Sequence, residues 1–219
     1  MTDPVLAAGW FGKLPTVGDF ASRRLDSDFV QVWDNWLSTG LSRLRTDGDG
    51  QWLDAYLASP TWRFMLTPGF LPEPLQTQAW TGVVMPSVDR VGRYYPLTLA
   101  CALPHGPLNG HAQAALWSWL RQLEDLAVDA LQEDWVIETL ETELARIGLP
   151  TPGTTQNIGM EDPLDQSPPN AFFAACLVPE FAGNSGRCVW FSEADLLAPQ
   201  LLCSQGLDDS ILRLWKTSW

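Results

Sequence analysis

The sequence predicts an α/β protein, a three-layer α/β/α sandwich around a mixed sheet of about five or six strands. Three observations carry this. Apolar residues recur at helical spacing both before and after a block of strand-like segments. One of those segments, Leu97-Thr-Leu-Ala-Cys-Ala-Leu103, is apolar on both faces, as a central strand covered on both sides must be. The chain has 219 residues, 46% hydrophobic and 18% charged. A chain of that length buries about 70% of its unfolded surface, so a single domain over 1–219 can build a core without staples.

The elements follow in order. Ala8-Gly-Trp-Phe-Gly-Lys-Leu14 reads as a first short strand and Pro15-Thr-Val-Gly-Asp19 as a turn-rich loop. Ser27 or Asp28 can N-cap a helix of about 17 residues, whose Phe29, Val30, Trp33, Trp36, Leu37, Leu41 and Leu44 form one stripe. Asp47-Gly-Asp-Gly50 ends it. Trp52, Leu53, Tyr56 and Leu57 mark a second, short helix that stops before Pro60. Thr61–Leu66, Ala79–Met85 and Tyr94–Leu103 read as strands. A long helical region runs from about Gly110 to Gly148 and breaks near Glu133-Asp134. Leu149–Pro169 holds five prolines and two glycines and reads as a surface loop. Ala171–Val178 and Arg187–Ser192 read as two strands that rejoin the sheet, before a terminal helix over Asp208–Trp215.

Composition excludes several function classes. The formal net charge is −13, with Lys13 and Lys216 the only lysines. Such a chain repels nucleic-acid phosphates and anionic lipid heads. No stretch approaches the roughly 18 apolar residues of a membrane span. Met1–Ala8 has no positive start and no apolar run, so it does not read as a secretory signal. The cysteines at 101, 176, 188 and 203 form no C-x-x-C, and three lie in apolar runs. Buried free thiols and a cytoplasmic location are the expectation.

No phosphate-binding, dinucleotide, zinc-protease or hydrolase-elbow motif is present. His105 and His111 flank a Pro-Gly loop and read as solvated. Asp47 and Asp49 sit in a Gly-rich turn and read as turn residues. No metal and no cofactor are expected.

Three segments concentrate charge. Gly9–Arg24 sets Lys13 among glycines and a proline, followed by Asp19 and an Arg pair; it is either a plain connection or a rigid binding loop at a sheet end. Pro86–Tyr95 crowds Ser87, Asp89, Arg90, Arg93 and Tyr94 into one hairpin connection. There Asp89 can hold an Arg fork, and a free Arg can receive a carboxylate or phosphate from a partner. Glu124–Glu143 carries eight acidic residues and no Lys or Arg, a solvated face or a docking face for a basic partner. Of the twelve Trp, Trp33, Trp36, Trp119 and Trp135 fall on helix stripes. Trp10, Trp117 and Trp219 fall off them and would be interface anchors if exposed.

Four ordered motifs carry a resemblance. Gly9-Trp-Phe-Gly-Lys-Leu-Pro-x-x-Gly-Asp-Phe20, Phe29-Val-x-x-Trp-Asp-x-Trp-Leu37, Trp62-Arg-Phe64 and Met85-Pro-Ser-Val-Asp-Arg-Val-Gly-Arg-Tyr-Tyr-Pro-Leu97 resemble the TagF (ImpM) family of type VI secretion-associated proteins. The likeness covers roughly residues 9 to 103. From 110 onward it is weaker, matching only a strand around Val189-Trp190-Phe191, where the family often shows paired aromatics. Some members carry a fused phosphatase domain, for which this chain has no room. The resemblance implies a cytosolic, non-catalytic accessory protein that represses type VI secretion after translation by engaging a forkhead-associated scaffold protein. It also implies a single α/β/α sandwich, and it nominates Lys13, Asp19, Trp33, Asp34, Trp36, Ser87, Asp89, Arg90 and Arg93 as partner-binding or family-motif residues.

Two rivals stand beside this expectation. One is a structural subunit of the secretion apparatus. The other is an enzyme using Asp19, Asp34 or Asp89 with a loop histidine.

Overall fold

The computed structural model describes residues 6–47, 50–103, 110–150, 172, 186–193, 200–207 and 214–215. Its elements are β1 (Gly9–Gly12), β2 (Ala21–Arg23), α1 (Ser27–Asp47), α2 (Trp52–Leu57), β3 (Trp62–Leu66), β4 (Ala79–Met85), β5 (Leu97–Leu103), α3 (Gly110–Gln132), α4 (Ile137–Ile147), β6 (Cys188–Ser192) and β7 (Gln200–Ser204). A single 3-10 turn, Leu75–Thr77, precedes β4.

Among the described residues the sheet has seven strands in the order β2-β1-β5-β4-β3-β6-β7, and every pairing is antiparallel. This corrects the expected mixed sheet of five or six. The two unforeseen strands are the edges, β2 and β7. β2 is three residues long and lies in a charged segment, too short for any alternation to register. In β7 only alternate residues are partly covered, a weak signal by itself. The direction differs because β3, β4 and β5 are consecutive and adjacent, joined by loops rather than by helices, so each reverses its neighbour.

Alternate strand residues feed two hydrophobic clusters. Trp10, Val83, Met85, Leu97, Leu99, Val189 and Phe191 join Leu116, Leu120, Leu123 and Ala127 of α3 and Leu140 and Leu144 of α4. Phe11, Phe64, Trp80, Val84, Ala100 and Trp190 join Phe29, Trp33, Trp36, Leu37, Leu41 and Leu44 of α1. In the second cluster the rings stack closely. Trp36 lies 5.4 Å from Trp190 and Phe29 lies 4.3 Å from Trp80, centroid to centroid. Each such buried ring contributes about 1.5–3 kcal/mol.

Element ends show local corrections. The N-cap of α1 is Asp26, whose carboxylate accepts the Asp28 N–H at 2.8 Å. The helix runs 21 residues, to Asp47, one turn beyond its apolar stripe. The break between α3 and α4 falls where expected, with Asp134 at φ 54°. β5 begins at Leu97 rather than Tyr94, because Tyr94 pairs back with Val88 across the connecting loop. Among residues 171–178, read as a strand, Phe172 alone is described, and it is helical and buried. The remainder of that run, the Pro-rich loop beyond residue 150 and most of the terminal helix lie outside the described residues. So do Trp219, Cys176, His105 and the side chain of His111.

Trp10 and Trp117 are buried, not exposed anchors. Trp10 packs under α4, and its indole N–H reaches Glu141 at 2.6 Å. Trp117 packs against Phe172 and Phe191. Cys101 and Cys188 are buried, whereas Cys203 is exposed on edge strand β7. Among the described residues, no helix is long and apolar enough to cross a membrane.

Candidate functional site

The loop joining β4 to β5, residues 86–96, lies against the end of β1. Asp89 organises it. Its Oδ1 accepts the backbone N–H groups of Val91 (3.1 Å) and Arg93 (2.9 Å). Its Oδ2 accepts Lys13 Nζ at 3.1 Å and Arg93 Nε at 2.7 Å. Burial of Asp89 opposes its charge, but the hydrogen bonds from Arg93 and Lys13 outweigh that and hold the carboxyl well below the usual carboxylate range. The Lys13 and Asp89 side chains are only 4% and 1% exposed. A buried charge pair of this kind survives because each remaining lone pair is satisfied.

Five further hydrogen bonds fix the loop. The Arg90 N–H donates to Pro15 O at 3.1 Å, and Arg93 donates to Gly18 O. Ser87 Oγ donates to Lys13 O at 2.9 Å. Tyr56, from α2, donates its hydroxyl to Ser87 O at 3.0 Å and accepts the Ser87 N–H at 2.9 Å. Gly12 makes the approach possible. It holds φ 134°, and a Cβ there would sit 2.0 Å from Pro96 O.

Beside this loop runs an open groove of about 640 Å³. It is lined by Lys13, Phe20, Ser38, Leu41, Ser42, Arg45, Thr46, Trp52, Gly92, Arg93, Tyr94 and Tyr95. Among the described residues, three basic ones face it and no acidic one does. The Lys13 ammonium lies 4.5 Å from the Phe20 ring centre, and the Arg45 guanidinium 4.8 Å from that of Trp52. Phe20 is 47% exposed, and Val91, at the tip of the neighbouring loop, is 73% exposed.

Of the nominated residues, Lys13, Ser87, Asp89 and Arg93 thus form one bonded cluster, with Arg90 on its loop. The Arg90 side chain is exposed. Trp33 and Trp36 stand apart, in the core. Trp33 donates its indole N–H to Thr98 Oγ1 at 2.9 Å. Asp34 bridges the two regions, because the Tyr95 hydroxyl donates to it. Burial and that carboxylate push the Tyr95 hydroxyl well above the ordinary tyrosine range. Asp34 also lines a second groove, of about 850 Å³, along α1. Asp19 is exposed and caps only the following N–H.

Sequence reasoning passed over Tyr56, Arg45 and Arg63. Arg63 is buried on β3, bonded to Glu124 at 2.6 Å, paired with Glu193 at 3.0 Å and stacked 4.7 Å from Trp117. Burial pushes the Glu124 carboxyl up, and Arg63 holds it partway back. An arginine inside the apolar run Trp62–Leu66 was the available signal, since a buried cation requires an acidic partner. The acidic stretch is accordingly not one solvated face. Glu124 serves Arg63, and Glu141 binds Arg24 at 3.0 Å. Among the described residues, no three His, Cys, Asp or Glu side chains cluster as metal ligands.

Comparison with known proteins places this geometry. The family described as the TagF N-terminal domain, type VI secretion system-associated, matches residues 9–147. The crystal structure of PA0076 from Pseudomonas aeruginosa PAO1 superposes with a TM-score of 0.74 at 33% identity, over 97% of this chain and 96% of that one. No curated protein matches.

Proposed function

The chain belongs to the TagF N-terminal domain family of type VI secretion-associated proteins, and from that membership we propose that it is a cytoplasmic, non-enzymatic repressor that binds a forkhead-associated scaffold protein. Its mechanism is occupancy. The bound repressor covers a scaffold surface and withholds it from the secretion assembly.

The observation that carries this reading is the division of labour around residues 86–96. Of the three carboxylates an enzyme would draw on, Asp89 is committed to holding a loop and Asp34 to the Tyr95 hydroxyl, while Asp19 is exposed and accepts the Phe20 N–H. What remains open beside that loop is a groove of guanidinium and aromatic groups. Arg and large aromatics are the residues that dominate binding energy at protein interfaces. A rigid presenting loop also lowers the ordering cost of association. The two core clusters support a three-layer arrangement within one domain, with the groove at one end of β1.

Deletion of the gene tests the reading directly. Repression predicts that secretion rises in the deletion strain and that the purified protein captures the scaffold. Loss of secretion on deletion would instead make the protein a structural subunit and overturn the repressor role.

A further inference from the structure

Resting on that reading, we infer that the Arg45–Arg93 groove is the docking site for an extended, carboxylate-bearing segment of the protein partner. Charge points there first. The chain carries a net −13, yet among the described residues this groove has three basic lining residues and no acidic one. Asp89 pairs with both Lys13 and Arg93 and offsets one of their two charges. The charge left over on that pair, together with Arg45, gives the groove its positive field.

Both guanidiniums are held without being used up. Arg93 spends Nε on Asp89 and one terminal nitrogen on Gly18 O, so its other terminal nitrogen is open among the described residues. Arg45 lies over the Trp52 ring, which orients its plane and leaves its N–H edge available. A planar edge of that kind pairs with a carboxylate.

The walls define the rest of the ligand. Trp52, beneath Arg45, meets Tyr94, the sequence neighbour of Arg93, edge to face at 6.0 Å, and Ser38, Ser42 and Thr46 line the α1 side one helical turn apart. Separate cations flanking aromatic surface fit acidic residues interleaved with apolar ones along a strand of peptide. A single phosphate would instead call for donors converging on one point.

The test uses the full chain and three ten-residue fluorescein-labelled peptides: alternating Glu and Phe, its Gln counterpart, and that Gln counterpart carrying one phosphothreonine. Fluorescence anisotropy should show the Glu peptide binding at least tenfold tighter than the Gln peptide and weakening as salt rises. Arg45→Glu should abolish this binding while its thermal melt stays within a few degrees of wild type. Arg45→Gln, which removes the charge without reversing it, should weaken binding about tenfold and covers the case in which the reversal disturbs folding. Equal binding of the Glu and Gln peptides, an unchanged affinity in Arg45→Gln, or a preference for the phosphothreonine peptide would overturn the inference. Capture of the scaffold separates the two proposals. Equal capture by wild type and Arg45→Glu removes the groove and leaves the repressor reading standing. No capture by wild type removes the scaffold partner, whatever the peptides do.

Discussion

Removing one oxygen atom tests how the presenting loop is held. Tyr56→Phe keeps the ring, and with it the edge contacts to Tyr94 and Trp215. It deletes the hydroxyl that both donates to Ser87 O and accepts the Ser87 N–H. The carbonyl retains a second donor, the Tyr95 N–H at 3.1 Å. The Ser87 N–H retains none among the described residues. The cost is therefore chiefly one orphaned buried donor, about 2 kcal/mol. At about 2–4 °C per kcal/mol for a chain of this length, the melting temperature should fall by about 4–8 °C. Urea unfolding gives the free energy, and amide hydrogen exchange locates the loss. Exchange at Ser87, Asp89 and Arg93 should accelerate while the β3–β4 amides stay protected. The same hydroxyl is pushed up in pKa by burial. The folded value exceeds the unfolded one near 10, so its contribution is complete below pH 10 and is lost as pH rises beyond it. The alkaline limb should flatten in Tyr56→Phe. A loss under about 0.5 kcal/mol, or a larger loss with Ser87 exchanging no faster, would refute the claim that Tyr56 anchors this loop.

Four further outcomes follow from the same geometry. Because the Asp89 carboxyl is held below its ordinary range, its stabilisation is present above about pH 4 and is lost as pH falls through the folded value; Asp89→Asn should flatten the acid limb of a stability–pH curve. Arg63→Met removes the partner of a part-buried Glu124 and should cost about 3 kcal/mol in urea unfolding, with scaffold capture by the folded fraction unchanged. Trp10→Ala should cost about 3–5 kcal/mol through the core rather than act as a lost binding anchor, as a melt measured beside a capture assay would reveal. Arg90→Glu, at an exposed side chain, should leave the melt within about 0.5 kcal/mol of wild type. Arg93→Glu would set a carboxylate against Asp89, so charge reversal reports on binding more cleanly at Arg90 than at Arg93.

The long periodic elements were legible because each repeats one rule many times. Trp33, Leu37, Leu41 and Leu44 declare the buried face of α1, and Leu97–Leu103 declares an interior strand. The edges were not, since three residues of β2 repeat nothing. Direction was also hidden. Apolar runs say that a strand is covered on both faces but not which way its neighbours point. In the site, the sequence placed Asp89 and its Arg fork together because they lie four residues apart. The Lys13 and Tyr56 partners come from 76 and 31 residues away, and only the sheet's folding brings them in. Arg45 was passed over for a different reason. On a helix it reads as an ordinary solvated cation in the last turn, and its meaning depends on Trp52 lying beneath it.

The sheet order also sets a timetable. β1 is made first, yet its interior neighbour is β5, with Gly9 opposite Ala100. During synthesis the opening strands must wait for some ninety residues before that seat exists. The meander β3–β4–β5 can form from local loops alone, which makes it the natural nucleus. The Lys13–Asp89 bond closes only when the waiting strand docks on the finished meander. A protein stalled or truncated before β5 would thus leave the charged loop unassembled. Assembly of that loop marks the chain as having folded through to its centre, so a docking surface built there is withheld from unfinished molecules.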